Sequence, residues 1–129
     1  MILTEDIIKN ELEKVLIEVK DLVEKGMVEF QFRNKNMITF RQLRREHGIT
    51  YIDFQDEIID AIKKLGIIDY YQGPDLDDNL ERDLIFWKFG ITIFDKEIYL
   101  KFDIREVEGK KVVLWSYHFP EHPIIYPFK

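Results

Sequence analysis

The 129-residue chain contains no cysteine, which excludes a disulfide framework, a thiolate metal site and a thiol nucleophile. Proline is scarce, with four residues, and three of them (Pro120, Pro123 and Pro127) fall in the last ten positions, so the body of the chain is free to form regular elements and its end is not. The six glycines form no low-complexity tract, and each stands alone at a candidate element end or turn except Gly90. No apolar run approaches membrane-spanning length, and Met1-Ile2-Leu3-Thr4-Glu5-Asp6 lacks the charged start of a secretory leader. A cytoplasmic protein without a membrane partner is the expectation. Basic residues are outnumbered, giving a net charge of −6, which argues against extensive phosphate contact. The acidity is uneven, however. Residues 1–32 carry −4, 33–47 carry +4, 48–83 carry −7 and 84–129 carry +1. The basic block Arg33, Lys35, Arg41, Arg44 and Arg45 is a solvated face or a local cationic surface.

What is present is a set of clear periodicities. Thr4 caps a predicted helix with Ile8, Leu12, Val15, Leu16, Val19, Leu22 and Val23 on one stripe and Gly26 as its stop. Residues 27–33 alternate as an edge strand. Thr39 is placed to cap a short helix carrying Phe40 and Leu43 and ending at Gly48, and Thr50 with Asp53 opens another that ends at Gly66. Gly73-Pro74 followed by Asp75-Leu76-Asp77-Asp78-Asn79 reads as a loop, with Tyr71 and Gln72 where the helices hand over to the sheet.

Three alternating runs then follow, 84–94, 97–105 and 112–118. A two-residue turn at Glu108-Gly109 sets Tyr99 opposite His118 and Lys101 opposite Ser116. A turn at Asp95-Lys96 sets Lys88 opposite Asp103, Gly90 opposite Lys101 and Thr92 opposite Tyr99. One face of this meander is then Trp87, Phe89, Ile91, Leu100, Phe102, Ile104, Val113, Trp115 and Tyr117, a core face. The other carries Lys88, Gly90, Thr92, Tyr99, Lys101, Asp103, Ser116 and His118, with Phe86, Val112 and Leu114 beyond. Gly90 either leaves room above the sheet or marks a bulge. Helices grouped before strands predict one α+β domain over 1–129, mainly helical with one strand over 1–66, then an antiparallel sheet and a Pro-rich tail over 67–129.

The blocks Asp69-Tyr70-Tyr71-Gln72-Gly73-Pro74, Phe86-Trp87-Lys88-Phe89-Gly90, Lys96-Glu97-Ile98-Tyr99-Leu100-Lys101 and Ser116-Tyr117-His118, closing toward Tyr126-Pro127, resemble the MqsR-like toxins of type II toxin–antitoxin systems. The resemblance covers about residues 66–128. It implies a RelE-like fold, cleavage of single-stranded messenger RNA with neither metal nor cofactor, and inhibition by a cognate antitoxin protein; homodimerisation is left open. Tyr99 and Lys101 match the family's Tyr-x-Lys. His118 and Gln72 stand where the family has lysines and Lys88 where it has a glutamine.

Metal-free RNA cleavage needs a base for the 2′-hydroxyl, an acid for the 5′-oxygen and cations for the phosphate. His118 suits the acid/base role, Lys101 the phosphate clamp with Lys88 in support, and Tyr99 stacking or a hydrogen bond to phosphate. Gln72, Arg41, Arg44 and Arg45 are candidate substrate contacts, the three arginines being equally suited to an antitoxin. Lys88 and Asp103 also make an ordinary cross-strand ion pair. A non-catalytic RNA- or protein-binding module is the alternative. His118-Phe119-Pro120-Glu121-His122 matches His-x-x-Glu-His, but Pro120 and Pro123 deny the helix that such a zinc motif requires.

Overall fold

In a computed structural model describing residues 4–76 and 84–129, three helices cover one face of a five-stranded sheet. Residues 1–3 and 77–83, the latter including Asp77-Asp78-Asn79 of the expected acidic loop, lie outside the described residues. The helices are α1 (Glu5–Glu24), α2 (Asn34–His47) and α3 (Tyr51–Lys63). The strands are β1 (Val28–Phe30), β2 (Tyr70–Leu76), β3 (Ile85–Ile93), β4 (Lys96–Glu106) and β5 (Lys110–His118), in spatial order β1-β5-β4-β3-β2. β1 runs parallel to β5 and the other pairs are antiparallel, so the sheet is mixed rather than antiparallel throughout. No helix among the described residues is long and apolar enough to cross a membrane.

The helix caps follow the sequence at two sites. Thr4 Oγ1 accepts from the Ile7 amide at 3.3 Å, and Thr50 and Asp53 form a reciprocal capping box. The third cap is different. α2 begins at Asn34, five residues before the expected cap Thr39, with Arg33 as an N-cap that supplies no side-chain acceptor. Thr39 instead sits buried inside α2, and its Oγ1 accepts from the Phe119 amide at 3.0 Å, anchoring the start of the C-terminal tail. Gly73-Pro74-Asp75-Leu76, expected as a loop, is instead part of edge strand β2, and Tyr71 and Gln72 stand at that strand's start, where the helices hand over to the sheet.

The first hairpin corrects the expected register throughout and the second only in part. β3 and β4 turn at Phe94 and Asp95, both at positive φ (51° and 63°), one residue before the expected turn. Two left-handed residues match the twist of a two-residue hairpin. Phenylalanine seldom signals such a turn, but here its ring stacks on His47 at 4.5 Å, so the end of α2 holds it. Pairing moves by two residues, which keeps every side chain on its face while changing its neighbours. Lys88 therefore stands opposite Lys101, not Asp103; Gly90 opposite Tyr99; and Thr92 opposite Glu97.

The β4–β5 loop is one residue longer than expected, spanning 107–109 between the paired Glu106 and Lys110. A bulge at Trp115 takes up the extra residue, so Lys101↔Ser116 and Tyr99↔His118 are as expected while Asp103 meets Val113. Val112 and Leu114 consequently join the core beneath the helices, and Trp115 leaves it for the open face. Trp87, Phe89, Ile91, Leu100, Phe102 and Tyr117 form the core face as expected. The fully buried Tyr117 stitches the layers together, its hydroxyl lying 2.6 Å from both Gln31 O and Tyr51 Oη.

Candidate functional site

The open face of the sheet, the first turn of α2 and the C-terminal tail enclose a cleft of about 530 Å³. Alternation along β4 points Tyr99 and Lys101 into it. Ser116 and His118 follow from β5 because the bulge restores their register, and Gln72 and Lys88 come from β2 and β3. Five of the sequence-predicted residues (Gln72, Lys88, Tyr99, Lys101 and His118) are thus neighbours. Arg41, Arg44 and Arg45 are not among them; with Ile38 they border a separate shallow groove on α2.

Opposed lysines dominate the floor. Lys88 and Lys101 occupy directly paired positions on β3 and β4, an arrangement that like-charge repulsion disfavours. Lys88 Nζ is 3.0 Å from Asp75 Oδ2 and 3.5 Å from Gln72 Oε1, and Lys101 Nζ lies 4.2 Å from the centroid of the Phe86 ring. Asp103, the expected partner of Lys88, is instead buried against Trp115 Nε1 and Arg105.

The α2 end adds charge that the expected helix start concealed. Arg33 and Lys35 reach the cleft because α2 starts at Asn34. Its first amides have no acceptor within the helix, since the first helical bond there runs from Met37 N to Arg33 O. The described lining therefore carries Arg33, Lys35, Lys88 and Lys101 against one carboxylate, Glu121, on a chain of net charge −6. Lys35 and Glu121 form an ion pair across the mouth, and this bond, ahead of the influence of His118 and His122, holds the Glu121 carboxyl below its ordinary range.

His118 is largely buried, and its Nδ1 lies 2.8 Å from the Phe119 carbonyl oxygen. A carbonyl only accepts, so Nδ1 carries the proton and the neutral ring keeps its lone pair on Nε2. The Tyr99 ring lies 5.4 Å from that of His118 and 6.3 Å from Tyr71, making a short aromatic wall. Burial, then the nearby Tyr71 and Asp75, pushes the Tyr99 phenol up to about 12, so it is a hydrogen-bond donor at neutral pH.

Sequence reasoning passed over Tyr71, Trp115 and the tail. Trp115 was hidden by the bulge. The tail residues Glu121 and His122, read only as a false zinc motif, are not helical but do line the cleft beside His118. No cluster of three or more His, Cys, Asp or Glu placed to hold a metal occurs among the described residues. No protein-family profile, curated protein or solved structure matches the chain.

Proposed function

We propose that the chain is a metal-independent endoribonuclease of the MqsR-like toxin type, with a RelE-like fold, cleaving single-stranded messenger RNA in the cleft. The observation that carries this reading is the pair of lysines opposed on its floor beside His118 and Tyr99. Two lysines brought side by side on the cleft floor suit a polyanion, whose phosphates can engage both cations at once.

In this scheme His118 Nε2 takes the proton of a ribose 2′-hydroxyl, and the 2′-oxygen attacks the adjacent phosphorus. The bond to the 5′-oxygen breaks, leaving a 2′,3′-cyclic phosphate and a 5′-hydroxyl. Tyr99, protonated well beyond neutral pH, donates toward the departing 5′-oxygen, and Lys101 with Lys88 and the amides of α2 stabilises charge on the phosphoryl oxygens. Tyr71 offers a ring to an unpaired base. Arg41, Arg44 and Arg45 stand apart from this chemistry and suit a protein partner such as an antitoxin.

The test is cleavage of single-stranded RNA by purified protein in excess EDTA. Fragments ending in cyclic phosphate, lost in His118→Gln, are expected. Intact RNA, or cleavage indifferent to that substitution, removes the catalytic reading. Salt-dependent binding without product would instead favour the non-catalytic RNA-binding module.

A further inference from the structure

Trp115 divides the open face. On its far side lies a second cleft of about 500 Å³, whose lining includes Asp103, Ile104, Arg105 and Glu106. Asp103 is 2% exposed, and its Oδ1 accepts from Trp115 Nε1 at 2.5 Å and from Arg105 at 3.4 Å. Its Oδ2 is enclosed without a hydrogen-bond partner, and so is Arg105 Nε. A carboxylate shut away with one oxygen unmet is costly, and an unmet donor close by compounds that cost. The pair leaves an open request for a ligand presenting one N–H beside one acceptor.

We infer that this second cleft binds and selects a nucleobase of the RNA strand, the base adjoining the scissile phosphate, with Asp103 Oδ2 accepting from its N–H and Arg105 Nε donating to its neighbouring acceptor. This rests on the first cleft being the RNA site. An anion is excluded by Asp103 and Glu106, and a cation is opposed by Arg105. A neutral, planar heterocycle satisfies both atoms and gains an aromatic wall from Trp115, which stands edge-to-face with Phe86 at 6.0 Å. Trp115 lines both clefts, so a strand with its phosphate on Lys101 has the next base at this wall. Arg105, partly exposed and 5.8 Å from the Trp115 ring centroid, is the movable side of the pocket. The Trp115 bulge thus makes one residue the partition between chemistry and base selection.

The test uses the full chain with ¹⁵N-labelled tryptophan, titrated separately with the four nucleoside 3′-monophosphates and with ribose 5-phosphate. The Trp115 indole N–H, assigned by its loss in Trp115→Phe, should shift, and one nucleotide should bind at least about fivefold more tightly than the other three, the scale of one selective hydrogen bond. No shift, a shift reproduced by ribose 5-phosphate, or equal affinity for all four overturns the inference. This readout needs no turnover, so failure to cleave RNA counts against the catalytic reading and leaves the base-binding result to stand or fall by itself. Where cleavage occurs, Asp103→Asn should change the base preference at one position beside the cut. Unchanged preference in a folded variant also overturns it.

Discussion

Lys88 and Lys101 stand directly opposite each other across β3 and β4, each held by a different device: an ion pair to Asp75 for the first, the face of Phe86 for the second. Cross-strand like charges cost about 0.2–1 kcal/mol. Replacing Lys101 by methionine keeps the aliphatic stem over Phe86 and removes one charge. Relief of repulsion is offset by loss of the ammonium's contact with Phe86, so Lys101→Met should shift stability by no more than about 1 kcal/mol while RNA cleavage falls about 100-fold or more, as for loss of a charge-stabilising group. Denaturant melts paired with cleavage rates check this. A variant that is both less stable and fully active would show the lysine to be structural.

Tyr126 answers what Gly90 is for. A Cβ at position 90 would lie 1.9 Å from the phenol oxygen, which donates to Glu97 Oε2 at 2.8 Å and straps the tail across the open face. Because the obstruction is the end of a side chain, Gly90→Ala should evict Tyr126 and leave the β3–β4 ladder intact, at a cost of about 1–3 kcal/mol. In a Tyr126→Ala background the same glycine change should cost less than about 1 kcal/mol. Equal costs in both backgrounds, read from four unfolding curves, would place the strain in the sheet and not in the strap.

The faces of β3 and β4 were legible in the sequence, that of β5 only on the His118 side of its bulge, and the neighbours across the sheet only in part. Alternation assigns a residue to a face whatever the turn, and a two-residue slip preserves it, which is why Tyr99, Lys101, Lys88 and His118 were correctly grouped although Lys88 was given the wrong partner. Turn signals are local, and a turn at Phe94 is held by a contact from His47, some fifty residues away along the chain. The Trp115 bulge has no composition of its own. It records a mismatch between a three-residue loop and the far end of the hairpin, so Trp115 was assigned to the wrong face. The early start of α2 was equally silent, because an arginine N-cap offers no acceptor to recognise. That one omission hid Arg33 and Lys35 from the site.

Asn36 ties the bulge to α2. Fully buried, it donates to Gln31 O at 3.1 Å and Trp115 O at 3.0 Å, and accepts from the Tyr117 amide at 2.9 Å. Asn36→Leu strands that amide at a cost of about 1–3 kcal/mol, more where the carbonyls also go unmet. The local consequence should be faster hydrogen exchange at Tyr117 than at the core residue Leu100. Uniform acceleration along β4 and β5 would contradict a specific tie.

Alkali should unfold this protein abruptly. Burial raises the pKa of Tyr51, Tyr70, Tyr117 and Tyr126, and that of Tyr99 to about 12. Below about pH 10 the tyrosines are neutral in both states and no penalty exists. As pH rises from about 10 to 12 the unfolded chain releases phenolic protons that the folded chain retains, so the unfolded state binds fewer protons and stability falls. Phenolate absorbance should thus rise together with loss of the far-ultraviolet helical signal. Independent titration of all six tyrosines near pH 10 with the fold intact would refute the assignment.

Lys35 and Glu121 pair across the mouth of the cleft, one from the first turn of α2 and the other from the tail. A phosphate entering there meets a cation already engaged by a carboxylate that is ionised throughout the neutral range, since Lys35 holds its pKa down. Removing the carboxylate frees the cation and subtracts a repulsion. Glu121→Gln should therefore tighten RNA binding by up to about fivefold, the range of an exposed ion pair. Lys35→Ala should weaken it and reduce the slope of log affinity against log salt by about 0.7, one single-strand phosphate contact. The signs are opposite although the residues touch. If the pair merely clamped the tail, both substitutions would weaken binding alike and leave the salt slope unmoved.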